Sequence, residues 1–147
     1  MKQLWMLVGG NGSGKSTFYE QMLKPKGMPF INADIIAKEA FPDDPVNNSH
    51  KAARIAEELR FDKLRQGHSF CFETVFSHVS KIDFIATAKA TGYHVNLVFL
   101  HVGRCKFNIL KNFKIANRNT IIVSYWFHQN IAKLFAFFSV MNMHNAG

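Results

Sequence analysis

One stretch of the chain combines residue types and spacing that suit the binding of phosphate groups. Residues 9–16 read Gly-Gly-Asn-Gly-Ser-Gly-Lys-Ser, which fits the phosphate-binding loop pattern G-x-x-x-x-G-K-[ST]. Glycines let the backbone curl until several N–H groups point inward at phosphate oxygens. Lys15 can reach the β- and γ-phosphates of a nucleoside triphosphate, and the Ser16 hydroxyl can bind Mg²⁺. The pattern predicts a nucleotide site made of Gly9, Gly10, Asn11, Gly12, Ser13, Gly14, Lys15, Ser16 and Thr17.

The residues on either side of this loop have the pattern that a phosphate-binding loop requires. An apolar run, residues 4–8, precedes the loop and predicts a buried strand, and residues 17–23 follow it with helical spacing. A helix that begins directly after the loop adds the positive end of its dipole to the phosphate site. A glycine-rich turn that matches by chance is the alternative, and the strand–loop–helix context argues against it.

Two carboxylates follow the next two predicted strands. Asp34 comes after a short strand at residues 28–32, and Glu73 ends an apolar strand at residues 69–74. Asp34 is either a helix N-cap or a general base that takes the proton from an attacking hydroxyl. Glu73 either organises Mg²⁺ through water, accepts hydrogen bonds from substrate hydroxyls, or is a solvated acid at a strand end.

The remaining elements predict an α/β domain, because strands alternate with helices. We expect helices at 35–40, at 49–66 with Asn48 or Ser49 as cap, and at 79–91, and a further strand at 94–102. The long helix carries its apolar residues at Ala52, Ile55, Ala56, Leu59 and Leu64. This order predicts a three-layer fold with a mostly parallel sheet, whose ligands bind at the carboxyl ends of the strands. We expect one domain over 1–147, with a nucleotide-binding core at 1–103.

Composition changes sharply near residue 103. Residues 1–103 contain 12 Lys and Arg and 10 Asp and Glu, whereas residues 104–147 contain 6 Lys and Arg and no acid. Lys106–Arg118 predicts a basic helix, Thr120–Val123 a strand, and His128–Met141 an amphipathic helix. These basic charges are scattered among Phe, Ile and Asn, which argues against a nucleic-acid-binding protein.

The chain also lacks features of other protein classes. Cys71 lies in an apolar run and Cys105 has no metal or redox spacing, which is typical of a reducing compartment. No apolar stretch approaches the ~18 residues of a membrane span. We therefore expect a cytoplasmic protein with no membrane partner.

Four segments together resemble the zeta toxin family of P-loop kinases. They are residues 8–17, Phe30-Ile31-Asn32-Ala33-Asp34, residues 72–77 and residues 98–102, in the same order and with similar spacing over about residues 1–102. The resemblance implies transfer of the γ-phosphate of ATP, with Mg²⁺, to the 3′-hydroxyl of UDP-N-acetylglucosamine. It also implies that Lys15 and Ser16 hold ATP and metal, that Asp34 is the base and that Glu73 contacts the acceptor. A small antitoxin protein would be the partner.

Beyond residue 103 the chain departs from that family. The family carries spaced arginines and a Gly-Gly-His segment there, forming a lid over the phosphates, whereas this chain has Lys111, Lys114 and Arg118 as its lid candidates. Residues 125–132 resemble the family's later helix without its arginines. Lysine cannot make the forked contact of arginine with a phosphoryl group. Residues 104–147 are therefore interpreted as an altered lid and C-terminal helix, and a frameshifted or decayed reading frame across 104–127 is one hypothesis. The alternative function is a protein that binds ATP with little or no kinase activity.

Overall fold

The computed structural model describes residues 1–74, 80–101 and 120–126. Its strands form one parallel sheet in the order β2-β3-β1-β4-β5. The strands are β1 (Gln3–Val8), β2 (Phe30–Ile31), β3 (Phe70–Thr74), β4 (His94–His101) and β5 (Thr120–Trp126). Because every pair is parallel, the carboxyl ends of the strands share one edge. The predicted fold class, an α/β sheet flanked by helices, is confirmed.

Helices cover the sheet between the strands. They are α1 (Lys15–Phe18), α2 (Ala33–Ala40), α3 (Ser49–Gln66) and α4 (Ser80–Ala90). Helix α1 continues as a wider helical turn, Tyr19–Leu23, and a tight turn, Lys24–Lys26. Gly27 and Gly67 then adopt left-handed backbone angles, with φ of 68° and 72°, and these angles end the α1 segment and α3 as their positions in the sequence predict.

Each face of the sheet has its own core, because side chains alternate along a strand. Helices α3 and α4 pack on the first face, and the segment from α1 to Leu23 packs on the second. The first core contains Leu4, Met6, Phe70, Phe72, Phe84, Val95 and Leu97, and the second contains Trp5, Leu7, Phe18, Met22, Cys71, Val98 and Leu100. Cys71 is fully buried, as its apolar run predicts.

Tyr93 fixes the end of α3 to the start of β4. Its hydroxyl donates to the carbonyl oxygens of Lys63, in the last turn of α3, and of His68, just beyond that helix, at 3.1 and 2.9 Å. The side chain is fully buried. This contact sets the height of α3 along the sheet.

The core-facing side of α3 differs from the predicted one. Ala52, Ala56, Arg60 and Leu64 are buried, at intervals of four residues, whereas Leu59 is exposed. The small residues Ala52 and Ala56 let α3 lie close to the sheet along this row, and Arg60 is buried because it lies on the same row. Asn48 precedes α3, but its side chain does not cap the helix and instead donates to the carbonyl oxygen of Asp44.

Predictions for the last third have mixed outcomes. The strand predicted at Thr120–Val123 is confirmed, and it extends to Trp126. The interpretation of residues 125–132 as a helix is wrong for Tyr125 and Trp126, because they pair with Leu100 and His101 as strand residues. Aromatic and β-branched residues favour this extended backbone. The predicted helices at Lys106–Arg118 and His128–Met141 lie outside the described residues, as do Cys105, Lys111, Lys114 and Arg118.

Candidate active site

The phosphate loop leaves β1 at the centre of the sheet and turns back into α1. Its backbone takes left-handed angles at Gly12 (φ 73°) and Gly14 (φ 91°), which glycine adopts without steric strain. The Ser13 N–H donates to the carbonyl of Gly10 at 3.2 Å, and the Gly9 N–H donates to the carbonyl of Thr74 at 3.3 Å. The second bond ties the start of the loop to the end of β3.

Gly9 is required by close packing rather than by its backbone angles. A Cβ atom there would lie 2.2 Å from the carbonyl oxygen of Leu100 and 2.4 Å from the Ser13 hydroxyl. At Gly10, by contrast, a Cβ would meet no atom within 4 Å. Gly9 therefore lets the loop pass close to β4, whereas Gly10 borders open space.

Lys15 is buried in its own loop. Only 7 % of its surface is exposed, and its amine donates to the carbonyl oxygens of Gly9 and Gly10 at 2.8 and 2.9 Å. These two bonds engage two of the three amine donors and hold the amine inside the curve of the loop, which leaves the third donor for a ligand. The Ser16 side chain is exposed at the start of α1, where it is open to a ligand.

The Ser13 hydroxyl is an unsatisfied group within this loop. The residue is 3 % exposed, and the hydroxyl has no hydrogen-bond partner among the described residues. A buried polar group without a partner is destabilising, so the loop retains hydrogen-bonding capacity that a ligand or water can use.

Asn32, rather than Asp34, caps helix α2. The Asn32 side-chain oxygen accepts from the backbone N–H groups of Asp34 and Ile35 at 2.7 and 3.2 Å. The capping alternative for Asp34 is therefore wrong. Asp34 lies exposed in the first turn, and within the described part of the chain no hydrogen bond or ion pair engages its carboxylate. The Asn32 cap fixes the position of the first turn of α2, which carries Asp34.

Glu73 occupies the next-to-last position of β3, beside Leu7 of β1. Burial raises the pKa of its carboxyl; the nearby Lys15 amine lowers that pKa, and the Asp34 carboxylate raises it. Its Oε2 atom is buried and has no partner among the described residues. The interpretation of Glu73 as a solvated acid is therefore wrong, because the side chain is partly buried and electrostatically coupled to both other groups.

Asn32 also belongs to the site, although it is not among the site residues predicted from the sequence. It is 6 % exposed, and hydrogen bonding from its side chain lowers the pKa of Glu73 while its oxygen caps α2. One amide thus connects the helix that carries Asp34 with the strand that carries Glu73. The available signal was an Asn directly after a predicted strand and two residues before an Asp, the usual place of an N-cap.

The oxygen donors at this edge fit a magnesium ion. Mg²⁺ prefers hard oxygen ligands and is commonly held by one or two protein groups together with substrate phosphates. Within the part of the chain that the structure describes, Ser16 offers an exposed hydroxyl, Asp34 an unengaged carboxylate, and Glu73 a buried oxygen without a partner. All of them come from the end of a strand or the start of a helix at one edge of the sheet.

Comparison with known proteins agrees with this architecture. A family model described as an AAA domain matches residues 4–108, which is more than half of the chain. An uncharacterized protein of Haemophilus influenzae is 30 % identical over 117 residues, covering 75 % of this chain and 83 % of that protein. Among the described residues, no helix combines the length and the apolar character that crossing a membrane requires.

Two solved structures show the same fold at low sequence identity. A provisionally assigned kinase from Chloroflexus aurantiacus superposes with a TM-score of 0.64 at 10 % identity, covering 94 % of this chain and 97 % of that one. A structure from the PezAT toxin–antitoxin system of Streptococcus pneumoniae gives a TM-score of 0.58 at 18 % identity. It covers 69 % of this chain, which spans only 48 % of the pneumococcal chain. The chain therefore belongs to the AAA domain family that its sequence matches, and it has the α/β fold of P-loop kinases.

Proposed function

We propose that the protein is an ATP-dependent kinase of the zeta toxin type, which phosphorylates a hydroxyl of a small molecule. The observation that carries the proposal is the convergence of three groups at one sheet edge. The Lys15 amine and the Asp34 carboxylate both act electrostatically on the Glu73 carboxyl, although the three residues belong to separate parts of the sequence. A lysine that holds phosphate and an exposed carboxylate that can act as a base, both beside a phosphate loop, are among the groups that phosphoryl transfer uses.

Each residue has a defined task in the proposed reaction. The loop N–H groups and Lys15 hold the β- and γ-phosphates of ATP, and Asp34 takes the proton from the acceptor hydroxyl. The acceptor oxygen then forms a bond to the γ-phosphorus while the bond from that phosphorus to the oxygen bridging it to the β-phosphate breaks, which leaves ADP. Mg²⁺, when held by the Ser16 hydroxyl, would neutralise charge between the two phosphates.

The resemblance of the sequence points to UDP-N-acetylglucosamine as the acceptor, with Glu73 accepting hydrogen bonds from it. Glu73 suits this role because its Oε2 is buried and has no partner among the described residues, and a substrate hydroxyl would satisfy it. A small antitoxin protein is the proposed partner, supported by the likeness to a structure from a toxin–antitoxin system.

The experiment combines a binding assay with product detection. The protein is incubated with ATP, Mg²⁺ and UDP-N-acetylglucosamine, and the sugar nucleotide is analysed by mass spectrometry. We expect a phosphorylated product from the native chain and none from Asp34→Asn, which still binds ATP. Asp43→Asn is the matched control, because Asp43 is an exposed acid in the loop between α2 and α3, and it should leave turnover unchanged. Full turnover in Asp34→Asn would exclude Asp34 as the base.

A second candidate is a protein that binds ATP without transferring phosphate. The missing lid arginines favour it, since Lys111 and Lys114 stand where the resemblance leads us to expect arginines. A cation at that point can contribute ~10³–10⁵ in rate. ATP binding with no product from the native chain, followed by recovery of product in the Lys111→Arg, Lys114→Arg double variant, would assign the defect to the lid.

A further inference from the structure

A cavity lies on the sheet face opposite α1, between helices α3 and α4. It has a volume of about 150 Å³, with Arg60 and Lys81 in its wall and the rings of Phe61 and Phe84 beside them. At ~30 Å³ per water molecule, it has room for roughly five waters. A phosphate group and part of the molecule that carries it would fit this space.

Arg60 is the unusual group in this cavity. It is 9 % exposed, its guanidinium lies 5.0 Å from the centre of the Phe72 ring, and no ion pair or hydrogen bond joins it to a carboxylate in the described part of the chain. Burial lowers its pKa, and the nearest opposing influence is the negative charge of Glu57. A guanidinium has five N–H donors, and stacking on a ring engages none of them.

Lys81 reaches the same cavity from the first turns of α4. Its pKa is lowered by burial and, next in size, by the positive charge of Arg60. Two like charges that face one cavity repel each other, and partial burial strengthens the repulsion. An anion between them would remove that repulsion and satisfy both sets of donors.

The two acids of the cavity do not serve as the anion between Arg60 and Lys81. Glu57 and Asp83 also line it, but both are exposed, and neither forms an ion pair with Arg60 or Lys81 among the described residues. Glu57 raises the pKa of both Arg60 and Lys81, but burial, which lowers both pKa values, is the larger influence. The cavity is therefore lined by one buried and one half-buried cation together with two exposed acids.

We propose that this cavity binds a phosphate group of a small molecule, held by Arg60 and Lys81, at a site separate from the phosphate loop. The two sites are on opposite faces, since Phe72, which stacks with Arg60, packs with α4, whereas α1 packs on the other face. Arg60 supplies a planar fork and Lys81 a point charge, the two complementary ways in which proteins bind phosphate. The ring walls would contact the apolar part of the carrier molecule.

The test must separate this site from the loop, which also binds phosphate. Inorganic phosphate is titrated into the isotope-labelled chain, and the backbone amide resonances of residues 57–61 and 83–87 are followed together with those of 9–16. We expect both groups to shift, with different midpoints. A parallel titration with ribose 5-phosphate distinguishes a site for the free ion from one for a phosphate on an organic carrier, by which of the two gives the lower midpoint at 57–61.

Variants then assign the contacts. Lys81→Gln and Arg60→Met should each weaken phosphate binding at least tenfold at residues 57–61 and leave the midpoint at 9–16 unchanged, whereas Lys15→Ala should do the reverse. Lys89→Gln, a charge removal on the same helix but outside the cavity, is the matched control. Arg60→Met keeps the contact with Phe72, and Lys81 is only partly buried, so at least one variant stays folded for the measurement. Resonances at 57–61 that do not move with phosphate, or that move equally with sodium chloride, would overturn the proposal.

Discussion

Lys15 and Arg60 are two buried cations that the fold treats in opposite ways. Lys15 donates to two carbonyl oxygens of its own loop within six residues of sequence. Arg60 stacks on Phe72 of a neighbouring strand and forms no ion pair among the described residues. Two of the three Lys15 donors are engaged before any ligand arrives, which leaves one N–H for a phosphate, whereas the Arg60 guanidinium has no carboxylate partner in the described part of the chain. The comparison shows that two buried cations can both suit a phosphate although their own fold engages them to different degrees.

The largest expected effect is on the affinity for ATP, which should depend on Lys15 but not on Arg60. Lys15→Ala should weaken ATP binding roughly 30- to 150-fold, because hydrogen bonds from a charged group to phosphate contribute about 2–3 kcal/mol. Arg60→Met should change the affinity less than twofold, since it lies on the other face of the sheet. Isothermal titration calorimetry measures both. A similar loss in the two variants would show that the two regions form one site and would end the distinction between them.

The next effect tests how tightly the loop is packed against β4. Gly9→Ala places a Cβ 2.2 Å from the Leu100 carbonyl, so the loop or the strand must shift. We expect a loss of about 1–3 kcal/mol in the free energy of unfolding, as for other overpacked sites. Gly10→Ala is the control, because its Cβ meets nothing within 4 Å and its φ is not left-handed.

Urea denaturation gives the two free energies of unfolding under the same conditions. Equal stability of both variants would mean that the loop moves freely against β4. In that case the bonds of Lys15, rather than packing at Gly9, would maintain the shape of the loop.

The two regions also differ in how far the sequence predicts them. The loop is predictable because its glycines, its lysine and its flanking elements are consecutive, and their interactions are local. The edge position of Glu73 is predictable too, because parallel strands align their carboxyl ends. The choice of Asn32 rather than Asp34 as the N-cap of α2 is less predictable, because the two residues are only two positions apart and either side chain can accept backbone N–H bonds. The folded structure decides which of them does so.

The cavity of Arg60 depends on tertiary packing. On α3 the apolar residues Ile55 and Leu59 and the small residues Ala52 and Ala56 allow two different core-facing sides, and the structure selects the row that contains Arg60. Burying a charge on that row is favourable only because Phe72 and the cavity lie beneath it. In the sequence, the larger apolar residues Ile55 and Leu59 argue for the other side, and nothing local marks Arg60 as buried.

The smallest expected effect concerns Glu73, a partly buried acid that can be compared with the buried cations Lys15 and Arg60. Its pKa in the folded protein is raised, mainly by burial, so the folded state binds its proton more tightly than the unfolded state does. The stability that this proton contributes is fully present below the ordinary pKa of a glutamate. It is lost as the pH rises through the higher pKa that Glu73 has in the fold.

Glu73→Gln carries no titrating proton, and its amide has nearly the same shape. Relative to this variant, the native chain should become less stable as the pH rises from about 4 through the pKa of the folded carboxyl, and the difference should then stay constant. Glu39→Gln, at an exposed position of α2, is the control and should show no such trend. Urea denaturation across this pH range measures it. If the native chain instead gains stability over Glu73→Gln as the pH rises, the Lys15 amine outweighs burial, and Glu73 is an engaged group like Lys15 rather than an open one like Arg60.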